Sequence, residues 1–217
     1  MHVGLSSYHP TTSLADPNVY SDFQGVCQHA VALQQHGFQT HWLSSTDTAE
    51  ALGADARLVA AEAQDIPATC RYVVPYQLYR FAAVPLLCVD RAMWQRSDMH
   101  TRLFTLLCLL HRERPYTVLH AWGTLPAIYT TVYTACFLGV PAVVSYGPLC
   151  FSASAQHPFL WDWVWQHAAI ACVTRDTDRA RLLATSSLLP ARVHVVEPLL
   201  QTAIHTLTAL YGGVHTR

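Results

Sequence analysis

Between Arg114 and Asp162 the chain contains no Asp, Glu, Lys or Arg. A stretch that long without formal charge is either enclosed by protein on all sides or enclosed by lipid. Within it, 125–146 is apolar enough and long enough to cross a bilayer. Pro126 and Pro141 interrupt it, however, and Thr124, Thr130, Thr131 and Thr134 dilute it. Gly139-Val140-Pro141 is a helix-stop signal leading into the β-type run "AVVSY". The stretch therefore reads as a buried helix followed by a buried strand.

The same alternation recurs along all 217 residues. "HVGLS" is a first buried strand, followed by a polar loop over 7–22. A helix over 23–36 comes next, with Ser21 and Gln24 at capping-box spacing and Gly37 as its stop. "QTHWLSS" is a second strand and 71–80 contains a third, separated by an Ala/Glu-rich stretch that reads as a short helix and loops. Asp98 caps a helix whose Met99, Leu103, Leu106, Leu107 and Leu110 recur every three or four positions. "TVLHA" is a strand, 125–138 a helix and 142–146 a strand. A Trp-rich helix over 159–168, the strand "AIACVT", a helix over 176–187, the strand "RVHVVE" and a helix near 199–210 complete the chain. Strands that are apolar on both faces and alternate with helices predict an α/β fold: a three-layer, doubly wound, mostly parallel sheet in one domain over 1–217.

Composition narrows the chemistry. With 52% hydrophobic and 12% charged residues the chain can build a large core. Its 13 basic and 14 acidic residues give no electrostatic basis for binding nucleic acid. Every basic residue is arginine, which removes the phosphate-binding loop that ends in Gly-Lys-Ser/Thr and any lysine Schiff base. Seven dispersed cysteines without a Cys-x-x-Cys fit buried free thiols in a reducing compartment, and Met1 opens into a strand without a charged leader. The histidines lack His-x-x-x-His spacing, so no metal site is expected. The first strand does not lead into Gly-x-Gly-x-x-Gly, which argues against bound NAD or FAD, and there is no Gly-x-Ser-x-Gly elbow.

In an open parallel sheet, ligands lie beyond the carboxyl ends of the strands. The candidates there are Ser7, Tyr8 and neighbouring His9 after the first strand, and His120, Trp122 and Gly123 after "TVLHA". Tyr146 and Gly147 follow "AVVSY", Arg175 follows "IACVT", and Glu197 ends "RVHVVE". Gly25, near the expected helix start, would let a ligand approach backbone N–H groups. Taken singly, His120 also reads as a core histidine, Trp122 as a packing residue, and Gly123 and Gly147 as turn residues. Arg175 serves a salt bridge as well as an anion.

In order along the chain, "HVGLSSYHP", "HAVALQQHGFQTHWLSS", "RPYTVLHAWG", "GVPAVVSYGP", "HAAIACVTRDTDRARLL" and "ARVHVVEPLL" resemble the N-terminal, acceptor-side domain of GT-B glycosyltransferases, in particular the group-4-like class. The resemblance implies a Rossmann-like half that takes a glycan or lipid-linked acceptor along its strand ends. A nucleotide-sugar donor would be held by a second domain that these residues do not contain. No other cofactor is implied. Where the family pattern has a glycine pair, a histidine and an Asn-Gly turn, this sequence has Gly25, Tyr146 and "EPL". His120 and Tyr146 are the candidates for catalysis.

The expected function is the acceptor half of a glycosyltransferase, inactive alone and completed by a donor-binding partner or by self-association. The alternative is a non-catalytic binding or scaffold protein of the same fold, and a fragment of a longer enzyme is a third reading. "PFLWDWVW" reads as core or, alternatively, as a partner-docking or shallow membrane contact. The expected location is cytoplasmic, with peripheral contact at the inner face of the membrane.

Overall fold

The computed structural model describes residues 1–10, 14–58, 66–67, 69–147, 149–150, 156–196, 209 and 211. The elements, in chain order, are β1 His2–Tyr8, α1 Pro17–Gln35, β2 Gln39–Ser45, α2 Thr46–Leu52, β3 Ala56–Leu58, α3 Cys70–Val73, β4 Tyr76–Phe81, β5 Val84–Val89 and α4 Arg91–Trp94. There follow α5 Met99–Glu113, β6 Val118–Gly123, α6 Leu125–Leu138, β7 Ala142–Ser145, α7 Pro158–His167, β8 Ile170–Val173, α8 Asp176–Thr185 and β9 Val193–Val195. The strands form one nine-stranded sheet in the order β3-β4-β5-β2-β1-β6-β7-β8-β9. From β5 to β9 every pairing is parallel. Winding proceeds outward from β1 to β2 and β5, then returns to β6 on the other side of β1. The switch point is therefore the β1–β6 pair.

Helices cover both faces. Val3, Leu5, Val118, Trp122 and Val143 meet Phe23, Val26, Ala30 and Leu33 of α1. Leu119, Ala121 and Val144 pack with Leu103, Leu106 and Leu107 of α5 and with Ile128 and Val132 of α6. This is the expected three-layer, mostly parallel α/β sheet.

Helix α1 begins at residue 17 rather than 23. Asp16 accepts a 2.8 Å hydrogen bond from the Asn18 N–H, and Pro17 supplies a φ already suited to the first helical position. At its other end Phe38 N–H donates to Leu33 O and Gly37 N–H to Gln34 O, each at 3.0 Å, a Schellman closure with Gly37 at φ 78°. Helix α5 buries Met99, Leu103, Leu106, Leu107 and Leu110, the residues its periodicity picks out. Asp98 occupies its N-cap position, but the carboxylate accepts from Arg96 at 2.9 Å and from Arg102 at 2.7 Å instead of from the backbone.

The strand expected within 71–80 is present as β4, but its surroundings differ from expectation. Residues 70–73 are helical, and β4 runs antiparallel to β5, which is the true third parallel strand. Ala82 and Ala83 make the tight turn between them with φ 45° and 72°. The cysteines form no disulfide among the described residues, yet not all are buried: Cys136 is exposed, and Cys27 and Cys108 are half-buried.

The uncharged stretch divides at Gly139, left-handed at φ 68°, into α6 and β7. Inside α6 the Thr131 and Thr134 hydroxyls each donate at 2.7 Å to the carbonyl four residues back, so these two hydroxyls need no water. No helix among the described residues is long and apolar enough to cross a membrane. In α7, Trp161 and Trp165 stack at 5.0 Å within the core, whereas Phe159 is 87% exposed. The helix expected near 199–210 lies outside the described residues apart from Ala209.

Gly123 has φ 88°, and a Cβ placed there would come within 2.3 Å of the Tyr8 carbonyl oxygen. Gly123→Ala therefore strains the β1–β6 pair from both backbone conformation and contact. We expect a loss of about 3 kcal/mol in urea unfolding; a loss below 1 kcal/mol would contradict this packing.

Candidate functional site

Strand β6 runs two residues further than "TVLHA" suggests, so its tip is Gly123, paired with Tyr8. His120 is consequently not at the rim. It lies opposite Leu5 and Val143, fully buried, with its ring stacked on Trp122 at 3.9 Å. Its Nε2 lies 2.9 Å from Ser145 Oγ, and its Nδ1 closely contacts the Tyr211 hydroxyl. That hydroxyl is also 2.8 Å from His29 Nε2. One imidazole accepts the phenolic proton and the other donates to its oxygen. The network joins α1, β6, β7 and Tyr211 beneath the sheet face.

Tyr146 is also enclosed. Its ring lies edge-on to Trp161 and Trp165, at 5.8 and 5.4 Å, in the layer opposite to that of His120. Ser7 is committed to a buried network. Its Oγ accepts from Trp42 Nε1 at 2.8 Å and lies 3.2 Å from Ser44 Oγ, while Ser44 Oγ is 2.6 Å from Thr48 Oγ1. Trp122 packs against His29 at 5.1 Å. Because α1 starts at Pro17, Gly25 lies inside the helix, where its N–H belongs to the internal ladder and not to a free helix start. Arg175 is exposed at the start of α8, two strands along from β6. Glu197 lies outside the described residues.

The rim gathers Tyr8, Gly123 and Gly147 around residues that sequence reading had not assembled. His9, the residue after β1, is fully buried, and its Nε2 is 3.0 Å from Asp22 Oδ2 of α1. His9 Nδ1 has no hydrogen-bond partner among the described residues. Asp22 lies directly over Gly147, where a Cβ would approach its Oδ1 to 2.7 Å. Cys150 closes the floor, its Sγ 3.5 Å from Gly123 O, and burial pushes its thiol pKa up. The pair thus sits where β1, β6 and β7 end, with one imidazole nitrogen anchored and the other without a partner among the described residues. A signal for Asp22 existed: it is a carboxylate at an inward position of α1, between Val19 and Phe23. Among the described residues no group of three or more His, Cys, Asp or Glu is placed to hold a metal.

No protein-family model matches the chain, and no curated protein matches it in sequence. Solved structures do resemble it. UDP-GlcNAc 2-epimerase from Methanocaldococcus jannaschii superposes with a TM-score of 0.54 at 8% identity, covering 90% of this chain and 45% of that one. MurG from Acinetobacter baumannii gives a TM-score of 0.42 at 16% identity, covering 80% of this chain and 41% of that one. The glycotransferase of kitacinnamycin gives 0.46 at 10% identity, covering 92% and 52%. The epimerase match carries the comparison, and it concerns fold alone. The chain is a Rossmann-like domain of the GT-B type and spans about half the length of the structures it resembles.

The buried histidines set a pH response. Burial lowers the pKa of His29 from 6.5 to about 3 and lowers that of His120 well below its ordinary value. The unfolded chain therefore takes up protons below pH 6.5 that the folded chain refuses. Stability present above 6.5 is lost as pH falls towards 3. For His29 alone the loss at pH 5 is about 2 kcal/mol, with His120 adding in the same sense. Calorimetry should show Tm falling steadily from pH 7 to 5; an unchanged Tm would contradict the burial.

Proposed function

We propose that the chain is the acceptor-side half of a glycosyltransferase, with His9 as general base and Asp22 as the residue that orients it. The observation that carries this reading is the anchored His9 imidazole at the switch point, with Nδ1 unpartnered among the described residues. Asp22 accepts from Nε2–H, which fixes the tautomer with a lone pair on Nδ1. Nδ1 takes the proton of an acceptor hydroxyl, whose oxygen attacks the anomeric carbon of a nucleotide sugar while the nucleoside diphosphate leaves. A single displacement of this kind inverts the anomeric centre. His9 is fully buried, so this reading requires the acceptor to enter between α1 and the ends of β6 and β7.

The donor is bound by a separate wall, contributed by a second domain or chain. Both walls are needed to bring the reacting atoms together, so the isolated chain is nearly inactive. The N-terminal role belongs to this proposal, as does a glycan or lipid-linked acceptor; the group-4-like class is retaining, so a single displacement would set this chain apart from it. A reaction site on the nucleotide-sugar-facing edge is compatible with the cytoplasm, where nucleotide sugars are abundant.

The test is transfer from a nucleotide-sugar panel by the purified chain, alone and mixed with a separately expressed donor-binding domain. Activity is expected only in the mixture. His9→Asn should lower it by about 10²–10⁴-fold and Asp22→Asn by at least about 10-fold, with Tm within a few degrees of wild type. Full transfer by the chain alone, or an unaffected His9→Asn, would overturn the reading. Glycan binding without transfer in any mixture would favour the non-catalytic binding protein.

A further inference from the structure

We propose that the tips of β1, β2 and β5 form a carbohydrate subsite in which Tyr8, Asp47, Arg91 and Trp94 hold a neutral hexopyranose unit by its vicinal hydroxyls. The inference rests on the acceptor-side reading, and it names what that side recognises.

The pleat of β1 turns consecutive side chains to opposite faces. His9 faces α1, where Phe23 lies 5.8 Å away, and Tyr8 faces the α5–α6 layer. There the Tyr8 ring lies flat on Trp94, with centroids 4.7 Å apart and planes 4° from parallel. Tyr8 is only partly buried, so the stack reaches the surface. The phenol is also within electrostatic range of both Asp47 and Arg91. Asp47, in the first turn of α2, has a side chain only 1% exposed and lies 3.3 Å from Arg91 NH1, whose own side chain is 53% exposed. Trp94 is 7% exposed, and its indole Nε1 has no hydrogen-bond partner among the described residues; the same holds for Ser45 Oγ at the end of β2.

A buried indole N–H without an acceptor is costly, and at Trp94 it belongs to the ring that stacks on the partly buried Tyr8. The arrangement joins an aromatic surface to fixed donors (indole, guanidinium, phenol) and a fixed acceptor carboxylate. A sugar ring presents complementary features: a C–H face for the aromatic stack, and adjacent hydroxyls that each donate and accept. An anionic group fits poorly, because Arg91 is already engaged by Asp47 and by Glu50 at 3.5 Å. A cation fits poorly because the guanidinium occupies the carboxylate. A sugar held beside Tyr8 also presents a further hydroxyl across the tip of β1 towards His9, which connects recognition to the proposed base.

The test is an indole ¹H–¹⁵N titration of the full chain with the methyl glycosides of glucose, galactose, mannose and N-acetylglucosamine, and with inorganic phosphate. The Trp94 signal is assigned by its loss in Trp94→Phe, which keeps the ring stack. Saturable movement of that signal with at least one glycoside is expected, with Kd on the order of millimolar and no response to phosphate. Asp47→Asn should weaken binding at least tenfold. Arg91→Gln, which keeps a donor beside the buried Asp47 carboxylate, should weaken it several-fold. A Trp94 signal that is still up to about 100 mM glycoside, that follows phosphate instead, or that responds unchanged in both variants overturns the subsite. His9-dependent transfer with a silent Trp94 would sink the subsite alone. Glycoside binding that depends on Asp47, without transfer in any mixture, would sink the transfer reading and leave the subsite standing.

Discussion

Everything at the rim depends on the close approach of β1 and β6. Strand β6 can end against β1 only because Gly123 carries no side chain where the Tyr8 carbonyl lies. That carbonyl then accepts from Thr124 N–H at 3.2 Å, and α6 starts immediately afterwards on one face of the sheet. The chain leaving β1 takes the other face through α1. Two helices thus leave neighbouring strand ends on opposite faces of the sheet, and His9 stands buried at the end of β1. The position of the candidate base is thus a consequence of sheet winding and needs no special loop.

The two faces of the sheet meet the cost of burying polar groups differently. In the α5–α6 layer threonine hydroxyls bond back along α6 and Tyr146 lies among tryptophans, while Tyr116 OH, Thr124 Oγ1 and Trp161 Nε1 are buried without partners among the described residues. The α1 face carries longer-range networks: Ser7 with Trp42, Ser44 and Thr48, and Tyr211 with His29 and His120. These networks are satisfied within the protein, and their histidines are held neutral. Such groups specify the packing of a core and are poor candidates for chemistry. At the strand tips His9 Nδ1, Ser45 Oγ and Trp94 Nε1 are also buried without partners among the described residues.

How far the sequence was legible follows from the range of each interaction. Periodicity identified the buried face of α5 residue by residue, and glycine and proline signals divided the uncharged stretch correctly, because both are local effects. The start of α1 was hidden because Asp16-Pro17 lies in a polar run that reads as loop. Strand β5 was hidden because Pro85 reads as a breaker, although as the strand's second residue it sits opposite Arg80 beside the hairpin turn. The largest consequence came from two residues. With β6 ending at Ala121, His120 would be at the rim, but with the strand continuing to Gly123 it is inside the sheet. Pairing with β1 sets that length, and the sequence of β6 alone does not. Asp22 stayed invisible as a partner for the related reason that its contact with His9 depends on where α1 crosses the tip of β1.

The His9–Asp22 pair is costly as a structural element. Removing a carboxylate and an imidazole from water is repaid only with good geometry, and apolar side chains of similar volume usually serve stability as well or better. Here the surroundings accommodate the pair at further cost, since Gly147 must lack a side chain to let the Asp22 carboxylate lie over it. A residue chosen for packing would fill that space. The glycine, the carboxylate and the singly bonded imidazole therefore form one unit, whose shape makes sense as the fixed positioning of His9 Nδ1. Across the tip of β1, the Tyr8–Trp94 stack offers the only comparably rigid surface described at that strand end, so a ligand that touches both must lie over the end of β1.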